Sequence, residues 1–136
     1  MFLSFSTPRT EKSSEIASSP HRIGFGKNLL AKKVTKDYTY IGRFLNGNMN
    51  DGFHGNGLLI NRKPHEYIYD GNYLNGERDG NGLLIDFKND YFYDGVWKKS
   101  KMHGFGKLKL KITTKGEYYE GHFKDNKKDG LVSSKV

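Results

Sequence analysis

Tyr69-Asp70-Gly71-Asn72-Tyr73, followed by Asn75-Gly76 and then Asp79-Gly80-Asn81-Gly82-Leu83-Leu84, returns one period later as Tyr93-Asp94-Gly95-Val96-Trp97, followed by His103-Gly104-Phe105-Gly106-Lys107-Leu108. The recurrence is an internal repeat, and it decides the architecture before any other feature is weighed. A looser copy precedes the pair, with Tyr40, Gly42, Phe44 and Gly47, then a four-residue insertion around Met49 to Phe53, then His54-Gly55-Asn56-Gly57 and Leu59. A further copy starts at Tyr119-Glu120-Gly121-His122-Phe123, reaches Asp129-Gly130, and has Val132 where the second glycine belongs. Upstream, Ile23-Gly24-Phe25-Gly26-Lys27 reads as the back half of a unit. The chain therefore holds three full units and two partial ones, spaced 29, 24 and 26 residues apart at Tyr40, Tyr69, Tyr93 and Tyr119.

Within a unit, Tyr69, Gly71 and Tyr73 alternate with Asp70 and Asn72, the period of two expected of a strand with one buried face. The polar stretch from Leu74 to Asp79 reads as the loop, and its Asn75-Gly76 suits the positive φ angles of a tight hairpin turn. A second strand is expected from Gly82 onward. Its pattern is clearest in the third unit, where Leu108, Leu110 and Ile112 alternate with Lys107, Lys109 and Lys111. Short polar connections, such as Lys88-Asn89-Asp90, imply that each hairpin pairs with the next. The predicted fold is all-β, an elongated single-layer antiparallel meander of stacked β-hairpins. A lone hairpin is marginal in water, so isolated units should not fold.

The pattern Tyr-x-Gly-x-aromatic, then Asn-Gly, then His or Asp-Gly-x-Gly-x-x-Leu resembles the MORN (membrane occupation and recognition nexus) repeat, over roughly Ile23 to Val132. The resemblance implies a twisted sheet with an aromatic row along one face and glycines where that row needs room. It also implies a scaffold role of the kind found in radial spokes, other axonemal assemblies and cortical cytoskeleton, or a membrane-apposition role. On this reading residues 1–20 form a disordered or partner-bound tail. A repeat domain follows over 21–136, with a partial unit at 21–36, units at 40–61, 69–88 and 93–112, and a partial unit at 119–132.

Composition bounds the rest. At 136 residues, 35% hydrophobic and with a mean hydropathy of -0.79, the chain suits one thin sheet better than a thick core. It has no cysteine, which excludes disulfides and thiolate metal sites and suits a reducing compartment. No apolar run reaches the roughly 18–20 residues that cross a bilayer. These features suit an intracellular, cytoplasmic protein, neither transmembrane nor secreted, and the resemblance implies the cilium, flagellum or cytoskeleton. The first 20 residues are rich in serine, with Phe2, Leu3 and Phe5 as an apolar exception.

The net charge of +8 is unevenly spread. Residues 1–36 carry +5, residues 37–97 carry -4 and residues 98–136 carry +7. Lys98, Lys99, Lys101, Lys107, Lys109, Lys111, Lys115, Lys124, Lys127 and Lys128 are expected to form a cationic surface suited to an acidic membrane. Each cation near an anionic leaflet contributes roughly 1 kcal/mol. All are lysines, which argues against bidentate phosphate or base-edge recognition and hence against nucleic acid.

Three kinds of contact residue follow. Tyr40, Phe44, Tyr69, Tyr73, Tyr93, Trp97, Tyr119 and Phe123 are candidates to grip a partner helix or segment, since Tyr and Trp dominate interfaces. Leu58, Ile60, Leu83 and Ile85 occupy outward positions that are Lys107 and Lys109 in the third unit, so the second face is also apolar there and expects a cover: the tail, a second copy in a homo-oligomer, or a partner. The lysines are the third kind.

Catalysis has no support. His54 and His103 share their repeat slot with Asp79 and Asp129, which marks a polar turn position. His21, His65 and His122 lack metal-ligand spacing, and the glycine pairs lack Walker context. No cofactor or metal is expected. The reading is a non-catalytic protein–protein scaffold within a larger assembly, with binding to anionic phospholipid as the alternative.

Overall fold

A computed structural model describes residues 30–48 and 51–135, with side chains described as far as Gly130. The tail at 1–20, the half unit at Ile23 to Lys27, and Met49 lie outside the described residues. The strands are β1 (Leu30–Val34), β2 (Tyr38–Phe44), β3 (Phe53–Asn61), β4 (Tyr67–Leu74), β5 (Glu77–Asp86), β6 (Tyr91–Lys98), β7 (Lys101–Leu110), β8 (Tyr118–Lys124) and β9 (Lys127–Lys135). They form one nine-stranded sheet in which each strand pairs antiparallel with the next in sequence, β1 through β9. The all-β meander of hairpins read from the repeat is the observed fold.

Three of the hairpins, β4–β5, β6–β7 and β8–β9, turn tightly. Asn75 and Gly76 have φ of 50° and 85°, Lys99 and Ser100 have 48° and 62°, and Asp125 and Asn126 have 48° and 70°. Two successive positive φ angles define the type I′ turn, whose twist matches that of the flanking strands. The turn is therefore two residues long, and β5 starts at Glu77, not at Gly82 after a loop from Leu74 to Asp79. The polar residues of that stretch belong to strand. The ladder is interrupted there by a bulge: Gly71 opposes Gly82 and Tyr73 opposes Arg78, so the two strands lose step between these pairs. Gly80, at φ +98°, sits in the interruption and takes a backbone conformation that side chains disfavour. A second correction concerns the far end of the third unit, where β7 stops at Leu110 because Lys111 turns the chain at φ 56°, leaving Ile112 outside the strand.

The core is one layer of rings on one face. Tyr40, Tyr69 and Tyr93 lie across the glycine pairs Gly42–Gly57, Gly71–Gly82 and Gly95–Gly106 that oppose one another in the ladder. A Cβ on Gly57, Gly82 or Gly106 would collide with the phenol above it. The two glycines of the Gly-x-Gly pattern thus answer different demands: the first bends the backbone, the second makes room.

Each phenol then reaches along its own strand into the bulge. Tyr40 donates to the Arg43 carbonyl at 2.8 Å, Tyr69 to Asn72 at 2.9 Å, Tyr93 to Val96 at 3.0 Å and Tyr119 to His122 at 2.9 Å. These carbonyls fall where the register shifts, so the hydroxyls satisfy acceptors that the broken ladder frees.

The ring four residues on stands edge to face against each tyrosine. Tyr40–Phe44, Tyr69–Tyr73, Tyr93–Trp97 and Tyr119–Phe123 all have centroids 5.0 Å apart. Tyr40–Tyr73 and Tyr69–Trp97 at 5.8 Å, and Tyr93–Phe123 at 5.0 Å, join one unit to the next. Such geometry is worth about 0.5–1.5 kcal/mol per pair beyond the area buried.

Gly82→Ala is expected to lower stability by about 2–3 kcal/mol, because Tyr69 must leave its seat. Asn81→Ala, on an exposed neighbour, should cost no more than about 0.5 kcal/mol. Urea denaturation of both variants measures the difference.

Candidate interaction surfaces

The eight rings expected to meet a partner are the interior of the molecule. Tyr40, Tyr69 and Tyr93 are 0% exposed, and Phe44, Tyr73, Trp97, Tyr119 and Phe123 are 1–6% exposed. They pack on one another and on Leu59, Leu84 and Leu108, so a partner cannot reach their faces. The Trp97 indole N–H is also spent internally, on the Gly82 carbonyl at 3.0 Å. Burial raises the phenol pKa values, to about 12 for Tyr40 and Tyr93, and pushes those of Tyr69 and Tyr73 up as well.

What lies over the rings is a slot without a fixed residue type. Opposite Phe44, Tyr73, Trp97 and Phe123 stand Phe53, Arg78, Met102 and Lys128. Phe53 stacks on Tyr40 at 3.8 Å and 8°. The Arg78 guanidinium lies 4.6 Å from the Trp97 ring and 5.7 Å from Tyr69, and Lys128 lies 4.8 Å from Tyr119. These cation–π contacts cap the rings, with Lys128 exposed and Arg78 partly buried, its guanidinium also donating to the Ser100 carbonyl at 3.2 Å. Phe53 thus holds the slot of Arg78, Met102 and Lys128, with the first unit's extra residues lying before it in sequence.

A second row on the same face is accessible. Tyr38, Tyr67 and Tyr91, each two residues before the buried tyrosine of its unit, are half-buried and alternate across the ladder with Asn61 and Asp86. Asn61 donates to the carbonyls of Lys63 and His65, both at 2.9 Å, and so closes the connection after β3. Asp86 accepts from the Asn89 backbone at 2.9 Å and side chain at 3.0 Å, and His65 Nε2 is 3.6 Å from it. Burial acts to raise the Asp86 carboxyl, but these donors and His65 outweigh it and hold it below the usual carboxylate range. In the third unit the same slot is Leu110, 37% exposed, which corrects the expectation that it points into an apolar interior.

The polar turn slot has a structural purpose. His54 Nδ1 accepts from the Asn75 N–H at 3.1 Å, and Asp79 accepts from the Lys99 N–H at 3.4 Å. Each therefore receives the tip of the next hairpin. Backbone bonds repeat this lacing: Gly76 donates to Phe53, Ser100 to Arg78 and Asn126 to Met102, at 2.8–3.0 Å. Arg62 to Asp37, Phe87 to Glu66 and Lys111 to Asp90 do the same at the opposite ends of the strands.

The lysines do not form one surface. Lys98, Lys99, Lys101, Lys124 and Lys127 are exposed around two neighbouring hairpin tips. Lys107 and Lys109 lie on the face opposite the rings, Lys107 being 3.9 Å from Glu120, and Lys111 and Lys115 sit in the connection after β7. Lys128 is the ring cap already described. On that opposite face Leu58, Ile60, Leu83 and Ile85 are partly buried by strand neighbours. Among the described residues no group of His and acidic side chains could hold a metal ion, and no helix is long and apolar enough to cross a membrane.

The class defined by this sheet is a β-hairpin repeat protein whose units are seated by tyrosine on glycine. The sequence model of the MORN repeat matches residues 69–91, 93–111 and 119–131, and these three segments are MORN repeats. MORN repeats serve protein–protein or protein–lipid contacts and are typically non-catalytic.

Two predictions test the polar accounting of the core. The Tyr73 hydroxyl is buried without a hydrogen-bond partner among the described residues, and Phe44 and Phe123 fill the same slot in other units. Tyr73→Phe should therefore be neutral or stabilising by about 1 kcal/mol, whereas Tyr69→Phe should lose about 1 kcal/mol by stranding the Asn72 carbonyl. Thermal melts distinguish them. The raised phenol pKa values predict stability that is complete below about pH 10, the ordinary tyrosine value, and lost as pH rises through about 12. Tyrosinate absorbance from the buried rings should appear together with loss of the β circular-dichroism signal, not before it.

Proposed function

We propose that this chain is a non-catalytic scaffold subunit that holds a partner protein on the ring-bearing face, through the half-buried Tyr38, Tyr67 and Tyr91 and the flanking caps Phe53 and Met102. The observation that carries this reading is the row of three phenols left half-accessible beside a buried ring core. Tyrosines of this kind offer large rigid contact area and a polar tip at small entropic cost, the profile of interface anchors. The row is held by Asn61 and Asp86, whose own polar atoms are taken up by the connections, so little reorganisation is needed to bind. Placement in a ciliary, axonemal or cytoskeletal assembly rests on the likeness of these repeats to those found in proteins of such structures.

Affinity purification of the full chain from its native source, read by mass spectrometry beside Tyr67→Ala/Tyr91→Ala, tests the reading. A defined partner recovered at least tenfold less with the variant, while circular dichroism stays unchanged, is the expected result. Equal recovery would remove the tyrosine row from the interface.

A second reading is supported by the two lysine-bearing tips. Asn126 accepts from the Met102 N–H at 2.8 Å and donates back to its carbonyl, which holds the tips of Lys98 to Lys101 and Lys124 to Lys127 side by side. A tip-on approach to an anionic leaflet would then engage several cations at once. Sedimentation with phosphatidylserine vesicles should show binding that disappears in moderate salt and after Lys98→Glu/Lys99→Glu/Lys124→Glu/Lys127→Glu. Binding unchanged by that substitution would exclude the tips as the contact.

A further inference from the structure

Tyr38, Tyr67 and Tyr91 lie on one line across the sheet. The ladder sets that line as Tyr38, Asn61, Tyr67, Asp86, Tyr91 and Leu110, one residue per strand from β2 to β7. A phenol therefore stands on every second strand, about 9.6 Å from the next at the usual strand spacing. Asn61 and Asp86, between the rings, are buried and have polar atoms taken up by the connections. The three hydroxyls differ. They make no hydrogen bond among the described residues, and they are not sealed from solvent as the Tyr73 hydroxyl is. The row carries one charge, Asp86, which Asn89 and His65 already face.

We propose, building on the tyrosine row as the partner contact, that its ligand is a proline-rich segment of a partner protein in the polyproline II conformation, running across the strands with a proline on each ring. Polyproline II rises about 3.1 Å per residue with three residues per turn, so prolines at i, i+3 and i+6 recur about every 9.3 Å. The three rings span about 19 Å, the length of about six such residues. Other backbones fit the row less well. An extended strand returns a side chain to one face about every 6.8 Å and a helix about every 5.4 Å, so neither meets a ring at each repeat. Hydrogen bonding points the same way. Helix carbonyls are spent within the helix, whereas a polyproline II backbone leaves its carbonyls unpaired, and these give the three free phenol hydroxyls acceptors. Proline also brings no N–H to be stranded against a ring. A row with no unmet charge suits a segment whose contacting residues are uncharged. Ligand and row are both preformed, which limits the entropy lost on binding.

Fluorescence anisotropy of labelled nine-residue peptides against the full chain tests the proposal. The first peptide has prolines three residues apart in a serine and alanine background, the second has the same prolines two residues apart, and the third has alanine in place of each. The first should bind at least tenfold tighter than either of the others. Tyr67→Ala/Tyr91→Ala should abolish that preference. Tyr67→Phe, which keeps the ring and removes the donor, should weaken the first peptide at least threefold, with circular dichroism unchanged. Equal binding of the three peptides, or a preference that both variants leave unmoved, overturns the proposal. Failure of the underlying contact reads differently: the purified partner would be recovered equally with the double variant, and the proposal would go with it. A partner lost with that variant but bound through a segment without proline keeps the tyrosine row as the contact and overturns its proline-rich ligand. Cross-links that place residues 1–29 on the row, or a dimer in sedimentation that the double variant dissolves, overturn it as well.

Discussion

A phenol seated on two opposed glycines is the constraint on which this molecule depends. A single sheet has no second layer to cover its apolar side, so each unit must bury its rings within the thickness of one side chain. Laying Tyr40, Tyr69 and Tyr93 flat across glycine pairs achieves this, and the four-on ring closes the space edge to face. The bulge is part of the same device, because it frees the carbonyl that the buried hydroxyl requires. Removing the glycine, the hydroxyl or the bulge alone would leave the other two without purpose.

The seated rings make the units interdependent only with their neighbours. Ring contacts run from one unit to the next, and hydrogen bonds at both ends of the strands tie each hairpin to the one before it. Stability in such a chain is a sum of units and adjacent interfaces. The absence of a thick core is offset by this lacing, which uses backbone N–H groups at the tips where the ladder itself has ended.

The repeat made the hairpin meander legible, because Tyr-x-Gly-x-aromatic and Gly-x-Gly record the ring and its seat in residue types that nothing else satisfies. Strand limits were less legible. The stretch from Leu74 to Asp79 is polar for reasons of bulge and exposure, and polarity alone does not separate a strand at a hairpin tip from a loop. The rings expected at a contact are buried: the residues most regular in the repeat are those the fold consumes, so Tyr69 and Trp97 announce the core. Tyr38, Tyr67 and Tyr91 left a signal two residues upstream of each seated tyrosine. The cap slot left none, since Phe53, Arg78, Met102 and Lys128 share a position and no chemistry. The lysines could not be placed from their order in the chain, because tips, faces and connections alternate every few residues.

That cap slot gives the sheet a direction. Moving from β3 to β9 the residue over the rings changes from aromatic, through a guanidinium and a thioether, to an ammonium, while the ring pair beneath it keeps its 5.0 Å edge-to-face spacing. A scaffold built of identical units would accept a ligand pointing either way and at any step. Here the units are alike in frame and unlike in crown, so a segment laid along the caps would meet a different side-chain chemistry at each step and would not fit equally well when reversed or shifted by one unit.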